Sequence, residues 1–66
     1  MVDKENIIGE ILQKFPFLIT YFYTFELDNG IEYGKFKRSR ASTIEEYAGD
    51  LTPNIIRILN YYISRN

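Results

Sequence analysis

The sequence contains no cysteine and no histidine among its 66 residues. Without cysteine the chain can form neither a disulfide framework nor a thiolate zinc site, and a reducing cytoplasm is its natural compartment. Histidine is the side chain that enzymes use most often as a general base, and cysteine is among the commonest nucleophiles, so the chain lacks both. The sequence has no glycine-rich phosphate loop and no dinucleotide fingerprint. We therefore expect a protein that is not an enzyme and that holds no cofactor and no metal.

Long apolar runs are absent as well. The longest, over residues 15–23, is interrupted by Pro16 and Thr20 and is too short to cross a bilayer. Met1 is followed by acidic and amide residues, where a signal peptide needs a basic and then an apolar segment. We expect a cytoplasmic chain that does not enter membranes, and its length predicts a single domain over residues 1–66.

Aromatic side chains, in contrast, are abundant: the chain has six tyrosines and five phenylalanines. A protein of this length buries only about 60% of the surface that its unfolded chain exposes. Rings supply a large contact area for each rotamer that is fixed, which suits a core or an interface. So small a scaffold is expected to leave some of its rings on the surface for a partner.

The strongest local signal lies in residues 27–31, because Asn29-Gly30 between aromatic segments is typical of a β-hairpin. Residues 17–27 are rich in β-branched and aromatic side chains, which favours a strand. A three-residue turn with a left-handed glycine pairs Leu27 with Ile31 and collects the apolar residues on one face. The sequence therefore predicts a two-stranded antiparallel hairpin.

Helices are predicted on both sides of this hairpin. Apolar residues recur at helical spacing over residues 7–15, and Pro16 is expected to end that first helix. Ser42, three residues before Glu45, has the spacing of a capping box that begins a short helix. Thr52, which precedes a proline, is expected to cap a last helix. The predicted fold is therefore α+β, with an N-terminal helix, the hairpin and two C-terminal helices.

An all-α domain is the alternative fold. Pro16 is acceptable at a helix start, and several apolar residues after it also fit a helical stripe. These residues are Leu18, Tyr21, Phe22 and Phe25. The poor helix formers over residues 19–25 and the turn residues that follow them favour the hairpin over this alternative.

Both ends of the chain carry short motifs shared with a known family. They are Ile8-Gly9-Glu10-Ile11-Leu12 and Lys14-Phe15-Pro16 near the start, then Thr43-Ile44-Glu45-Glu46 and residues 55–59. With these motifs the chain resembles a family of small helical domains of unknown function found near bacterial iron–sulfur repair proteins. The chain lacks that family's cysteine, and the predicted hairpin replaces its second helix. The resemblance implies helices at both ends and transfers no functional residue.

Four of the eight basic residues fall between positions 35 and 40, next to aromatic residues. Positive charge mixed with rings is what the binding of phosphate and of unstacked bases requires. On an edge strand the same charges would also prevent edge-to-edge aggregation. The candidate nucleic-acid-binding residues are Lys35, Phe36, Lys37, Arg38 and Arg40, with Phe36 or Tyr33 as the stacking ring.

A stripe on the last predicted helix combines arginine with tyrosine. Arg57, Tyr61 and Arg65 recur every fourth residue, opposite the apolar face, and both residue types are over-represented among interface hot spots. The same stripe is also compatible with a solvated face that carries local cation–π contacts.

The predicted hairpin is apolar on both faces, whereas one layer of helices covers only one of them. The candidate protein-binding residues are Tyr21, Tyr23, Phe25, Tyr33, Arg57, Tyr61 and Arg65.

These features predict a non-catalytic regulator or inhibitor that binds another protein, or a second copy of itself, through the hairpin and the last helix. By analogy alone, such short chains without a cofactor signature are common among small bacterial or phage-encoded modulators. The alternative is a nucleic-acid-binding protein that uses the basic segment 35–40.

Overall fold

The computed structural model describes all 66 residues. Helices joined by short loops and turns make up most of the chain. Its five α-helices are α1 (Ile8–Lys14), α2 (Ile19–Asn29), α3 (Lys35–Arg38), α4 (Ile44–Ala48) and α5 (Thr52–Arg65). Two 3-10 turns, Pro16–Leu18 and Gly49–Leu51, connect α1 to α2 and α4 to α5. No helix combines the length and the apolar character that spanning a membrane requires.

The predicted α+β fold with a hairpin is wrong, and the all-α alternative is the observed architecture. Residues 19–29 form α2, and the only β-type pairing is one bridge between Ile7 and Thr43. Leu18, Phe22 and Phe25 follow one another at helical spacing and are almost completely buried. Burial of that stripe outweighs the weak helix propensity of the individual residues.

The Asn29-Gly30 pair, which predicted the hairpin turn, ends α2 instead. Gly30 adopts the left-handed conformation, with φ 66° and ψ 26°, and its N–H donates to the carbonyl of Glu26. The Asn29 side-chain amide donates to the carbonyl of Phe25 at 2.8 Å. A glycine with positive φ is common to helix C-termini and to tight hairpin turns, so this dipeptide does not distinguish between them.

Helix α1 ends at Lys14, just before Pro16, as predicted. Its first amides are satisfied from a distant part of the chain: Ile8 N–H donates to the Ser42 carbonyl at 3.0 Å, and Gly9 N–H donates to the Arg40 carbonyl at 2.9 Å. These bonds attach the start of α1 to the segment that follows α3.

The starts of the last two helices differ in detail from the prediction. The capping box lies one residue later than Ser42: Glu46 N–H donates to the Thr43 hydroxyl at 3.1 Å, and Thr43 N–H donates to the Glu46 carboxylate at 2.8 Å. Thr52 does not cap α5, because its hydroxyl donates to the Gly49 carbonyl at 2.6 Å. Each helix nevertheless begins within one residue of its predicted signal.

The core is a single cluster in which aromatic rings occupy the centre. Phe22 and Phe36, both fully buried, are stacked with their centroids 5.1 Å apart, and Tyr47 meets Phe22 at 5.8 Å in an edge-on arrangement. Helix α5 adds Ile55 and Leu59, which are also fully buried. Helix α1 contributes Ile8, Ile11 and Leu12, so the core joins all five helices.

Candidate functional site

Glu26 is a fully buried acidic residue on α2. Its Oε1 accepts a hydrogen bond from Gly34 N–H at 2.7 Å, and its Oε2 accepts bonds from Phe36 N–H and the Tyr47 hydroxyl, both at 2.8 Å. No cation forms an ion pair with it, so neutral donors hold this carboxylate. Neutral donors reduce the cost of burying a charge when they satisfy its lone pairs.

Tyr47 is kept protonated by the same arrangement. Its burial raises its pKa well above the usual value, and the hydrogen bond to Glu26 and the charge of Glu26 raise it further. Lys35 lies against the same residue: its Nζ is 5.3 Å from the centre of the Tyr47 ring and donates to the Tyr47 carbonyl at 3.1 Å. Lys35, a candidate nucleic-acid-binding residue, therefore uses one of its donors within the fold.

The Glu26 carboxylate also determines where the chain after α2 runs. It holds the amides of Gly34 and Phe36, and Gly34 has a left-handed φ of 87°. Tyr33 directly precedes these anchored residues, and α3 begins among them. The position of Tyr33 at the surface therefore depends on a buried charge.

Tyr33 and Tyr23 form a surface feature that we call the stacking platform. Their rings are stacked, with centroids 4.5 Å apart and an interplanar angle of 24°. Tyr33 is 60% exposed, whereas Tyr23 is half-buried and meets the buried Phe36 edge-on at 4.8 Å. The Nζ of Lys37 lies 5.8 Å from the centre of the Tyr23 ring. The exposed Tyr33 ring therefore packs on Tyr23, and Tyr23 in turn packs on Phe36 and lies next to the Lys37 ammonium.

The structure divides the candidate nucleic-acid residues into two groups. Phe36 is fully buried and cannot stack on a base, and Lys35 is occupied by Tyr47. Lys37 and Arg40 are exposed, and Arg38 forms an exposed ion pair with Glu32 at 2.7 Å. Of the two rings proposed for stacking, only Tyr33 is on the surface.

A second aromatic cluster joins α2 to α5, and we call it the tyrosine row. Tyr21 stacks on Tyr62 with centroids 3.7 Å apart and an interplanar angle of 13°, and Tyr62 meets Tyr61 edge-on at 5.0 Å. Tyr61 is 51% exposed, as predicted, and the Arg65 guanidinium lies 5.3 Å from the centre of its ring. Arg57, one turn before Tyr61, is exposed and forms no ion pair.

A groove of about 190 Å³ runs between α2 and α5 beside the tyrosine row. Phe25 and Ile58 give it an apolar lining, and Asp28 places a carboxylate at its α2 side. Its full lining is Tyr21, Thr24, Phe25, Asp28, Asn29, Ile58 and Tyr62. Two rings of the row therefore also form part of the groove.

The candidate protein-binding residues are not on one continuous face. Tyr21, Phe25, Tyr61 and Arg65 belong to the α2–α5 side, and Arg57 is one turn from Tyr61 on α5. Tyr23 and Tyr33 form the platform instead, because residues 21 and 23 point in directions about 200° apart on a helix.

Tyr62 and Glu26 are among the site residues that the sequence did not predict. Tyr62 is half-buried and links Tyr21 to Tyr61. Glu26 gave one usable signal, since it follows Phe22 by four residues and so lies on the same buried side of a helix.

Comparisons with protein-family models, with curated proteins and with solved structures found no match to this chain. They assign it to no family and add no support to the resemblance of its two ends. The function is therefore inferred from its surfaces.

Proposed function

We propose that this chain is a non-catalytic protein-binding domain whose partner docks on the α2–α5 side, over the tyrosine row and the groove next to it. The observation that carries this proposal is the geometry of Tyr61. Its ring is about half exposed, yet its position is defined by Tyr62 on one side and by Arg65 on the other.

A ring held in this way is suited to binding. Tyrosine offers a large amphipathic contact area with few rotatable bonds, and a side chain that is already ordered loses less entropy when a partner covers it. The Tyr21–Tyr62 stack extends this ordered surface from α5 to α2. The groove beside it accommodates an apolar side chain of the partner against the half-buried Ile58, whereas Phe25 is almost completely buried and belongs to the core.

The charges around the surface define the partner further. Arg57 and Arg65 lie one turn before and one turn after Tyr61, and neither forms an ion pair within the chain. Arginine presents a planar fork of donors that matches a carboxylate. The partner is therefore a protein surface that sets acidic side chains against Arg57 and Arg65 on α5 and an exposed apolar side chain against the groove, where Asp28 lies on the α2 side. A domain that binds without catalysis affects its partner by covering the bound surface, so we propose that it acts as a regulator or inhibitor.

The experiment compares the tagged full chain with two single variants in quantitative affinity purification from native cells. Tyr61→Ala removes the exposed ring of the tyrosine row, and Tyr33→Ala removes an equally exposed ring on the other side of α2. We expect one protein that is enriched by the wild type and by Tyr33→Ala, and that Tyr61→Ala loses. Direct titration of that purified protein should show binding that Arg65→Ala weakens.

The proposal fails if the same proteins are captured by all three chains, or if the purified protein binds Tyr61→Ala as well as the wild type. Sedimentation of the chain alone tests whether the surface binds a second copy of the chain instead. A dimer that Tyr61→Ala dissociates would show that the surface binds a second copy, and would replace the acidic partner by self-association.

A further inference from the structure

The stacking platform is a separate surface, and its geometry differs from that of the tyrosine row. One face of the Tyr33 ring is covered by Tyr23, and the side chain is 60% exposed. The ring is therefore supported on one side and open to solvent elsewhere. Its backbone neighbour Gly34 is bonded to the buried Glu26, which limits the movement of the ring relative to α2.

An open, supported aromatic face is what an unstacked base requires. Bases stack on exposed tyrosine rings with little dependence on sequence, because every base has a flat face. A base within a duplex has both faces covered by its neighbours and cannot reach such a ring. The platform is therefore suited to a single strand.

One cation lies directly at the platform. Lys37 reaches over the Tyr23 ring, whereas the exposed Arg40 lies at the start of α1, where its carbonyl accepts from Gly9 N–H. Arg38 is bound to Glu32 at 2.7 Å, but both side chains are exposed, so a phosphate can compete with that carboxylate. Cations beside a stacking ring are the combination that binds a nucleic-acid backbone and its bases together.

We propose that the platform binds single-stranded nucleic acid, with one base stacked on Tyr33 and adjacent phosphates bound by Lys37 and, after exchange from Glu32, by Arg38. Phe36 and Lys35 take no direct part in binding, because one is buried in the core and the other is bonded to Tyr47. With so few cations the complex is weak, and the slope of its log–log salt dependence is only about 0.7 for each phosphate-bound cation.

The test is fluorescence anisotropy of the full chain with a labelled oligothymidylate, a labelled oligouridylate and a labelled DNA duplex at low salt. We expect both single strands to bind, and Tyr33→Ala to weaken them by about fivefold or more, because one stacked base is lost. Tyr33→Phe keeps the ring and should bind like the wild type. Lys37→Ala should lower the salt slope of single-strand binding by about 0.7. Tyr61→Ala serves as the matched control and should bind like the wild type.

Three results would overturn the proposal. The first is no change of anisotropy with either single strand, and the second is binding that Tyr33→Ala leaves intact. The third is a duplex that binds as tightly as the single strands. Failure here leaves the protein-binding proposal untouched, because that one depends on Tyr61. If Tyr33→Ala removed a captured protein while no oligonucleotide bound, the platform would be a protein site instead.

Discussion

The hydroxyl of Tyr47 on α4 donates a hydrogen bond of 2.8 Å to the carboxylate of Glu26 on α2, although the two residues are 21 positions apart. This buried bond joins α2 to the C-terminal half of the fold. Because the same carboxylate anchors Gly34 and Phe36, one buried charge connects α2, α3 and α4. The stacking platform depends on this connection, since Tyr33 directly precedes the anchored segment.

Removal of the Glu26 carboxylate should be among the most damaging single changes in the chain. Glu26→Ala leaves one half-buried amide, one buried amide and one buried hydroxyl without an acceptor, which we expect to cost about 3–5 kcal/mol of unfolding free energy. Glu26→Gln keeps the shape and one acceptor oxygen, so its loss should be smaller but still above about 1 kcal/mol. Urea denaturation followed by circular dichroism measures both values.

Glu10→Gln is the matched control for these variants, because Glu10 is exposed and makes no side-chain hydrogen bond or ion pair. Its stability should stay within about 0.5 kcal/mol of the wild type. Equal stability of Glu26→Gln and Glu10→Gln would contradict the role assigned to the buried carboxylate.

Tyr47 should make the fold sensitive to alkaline pH. Its pKa is raised in the folded state, so its contribution to stability is complete below the unfolded pKa of about 10 and declines as the pH rises above that value. Above that pH the unfolded chain releases a proton that the folded chain retains, and this costs up to about 1.4 kcal/mol per pH unit.

Tyr47→Phe tests this pH dependence, because it removes the titrating hydroxyl and leaves the ring and the other five tyrosines in place. The wild type should be more stable than the variant near neutral pH, since the variant leaves Glu26 with one donor fewer. The difference in unfolding free energy should shrink as the pH rises above about 10. A difference that stays constant across this range would show that Tyr47 titrates alike in both states.

Local signals in the sequence predicted the end of α1 and, to within one residue, the starts of α4 and α5. Pro16 ends α1, and the exposure of Tyr61 follows from its position opposite the buried face of α5. These features depend on residues within one or two helical turns of each other, so a short stretch of sequence is enough to predict them. The same holds for the end of α2 at Asn29-Gly30, although its left-handed glycine was interpreted as a hairpin turn.

The conformation of α2 and the role of Glu26 depend on distant parts of the chain. Residues on several sides of α2 are apolar, because Tyr21 faces α5 while Tyr23 faces α3, and this weakens the helical periodicity. The donors to Glu26 come from residues 34, 36 and 47, which nothing near position 26 identifies. Both features are set by tertiary packing, which local propensity does not report.

Because the capping box uses Thr43 and not Ser42, the two neighbouring hydroxyls should contribute differently to stability. Thr43 accepts the hydrogen bond from Glu46 N–H, whereas the side chain of Ser42 makes no hydrogen bond. Thr43→Ala should therefore lower the unfolding free energy by about 1 kcal/mol, and Ser42→Ala should change it by less than about 0.5 kcal/mol. Urea denaturation of the two variants checks the order. A larger loss from Ser42→Ala would place the cap where the sequence pattern first indicated it.

The stack of Tyr21 on Tyr62 should contribute to stability through its rings and not through its hydroxyls. The ring centroids are 3.7 Å apart, and neither hydroxyl is in a hydrogen bond within the chain. Tyr62→Phe should therefore keep the wild-type unfolding free energy within about 0.5 kcal/mol, and Tyr62→Leu should lose about 0.5–1.5 kcal/mol with the aromatic contact. Urea denaturation of the two variants measures both values. Equal loss in both variants would mean that the Tyr62 hydroxyl, and not the stacked ring, joins α5 to α2.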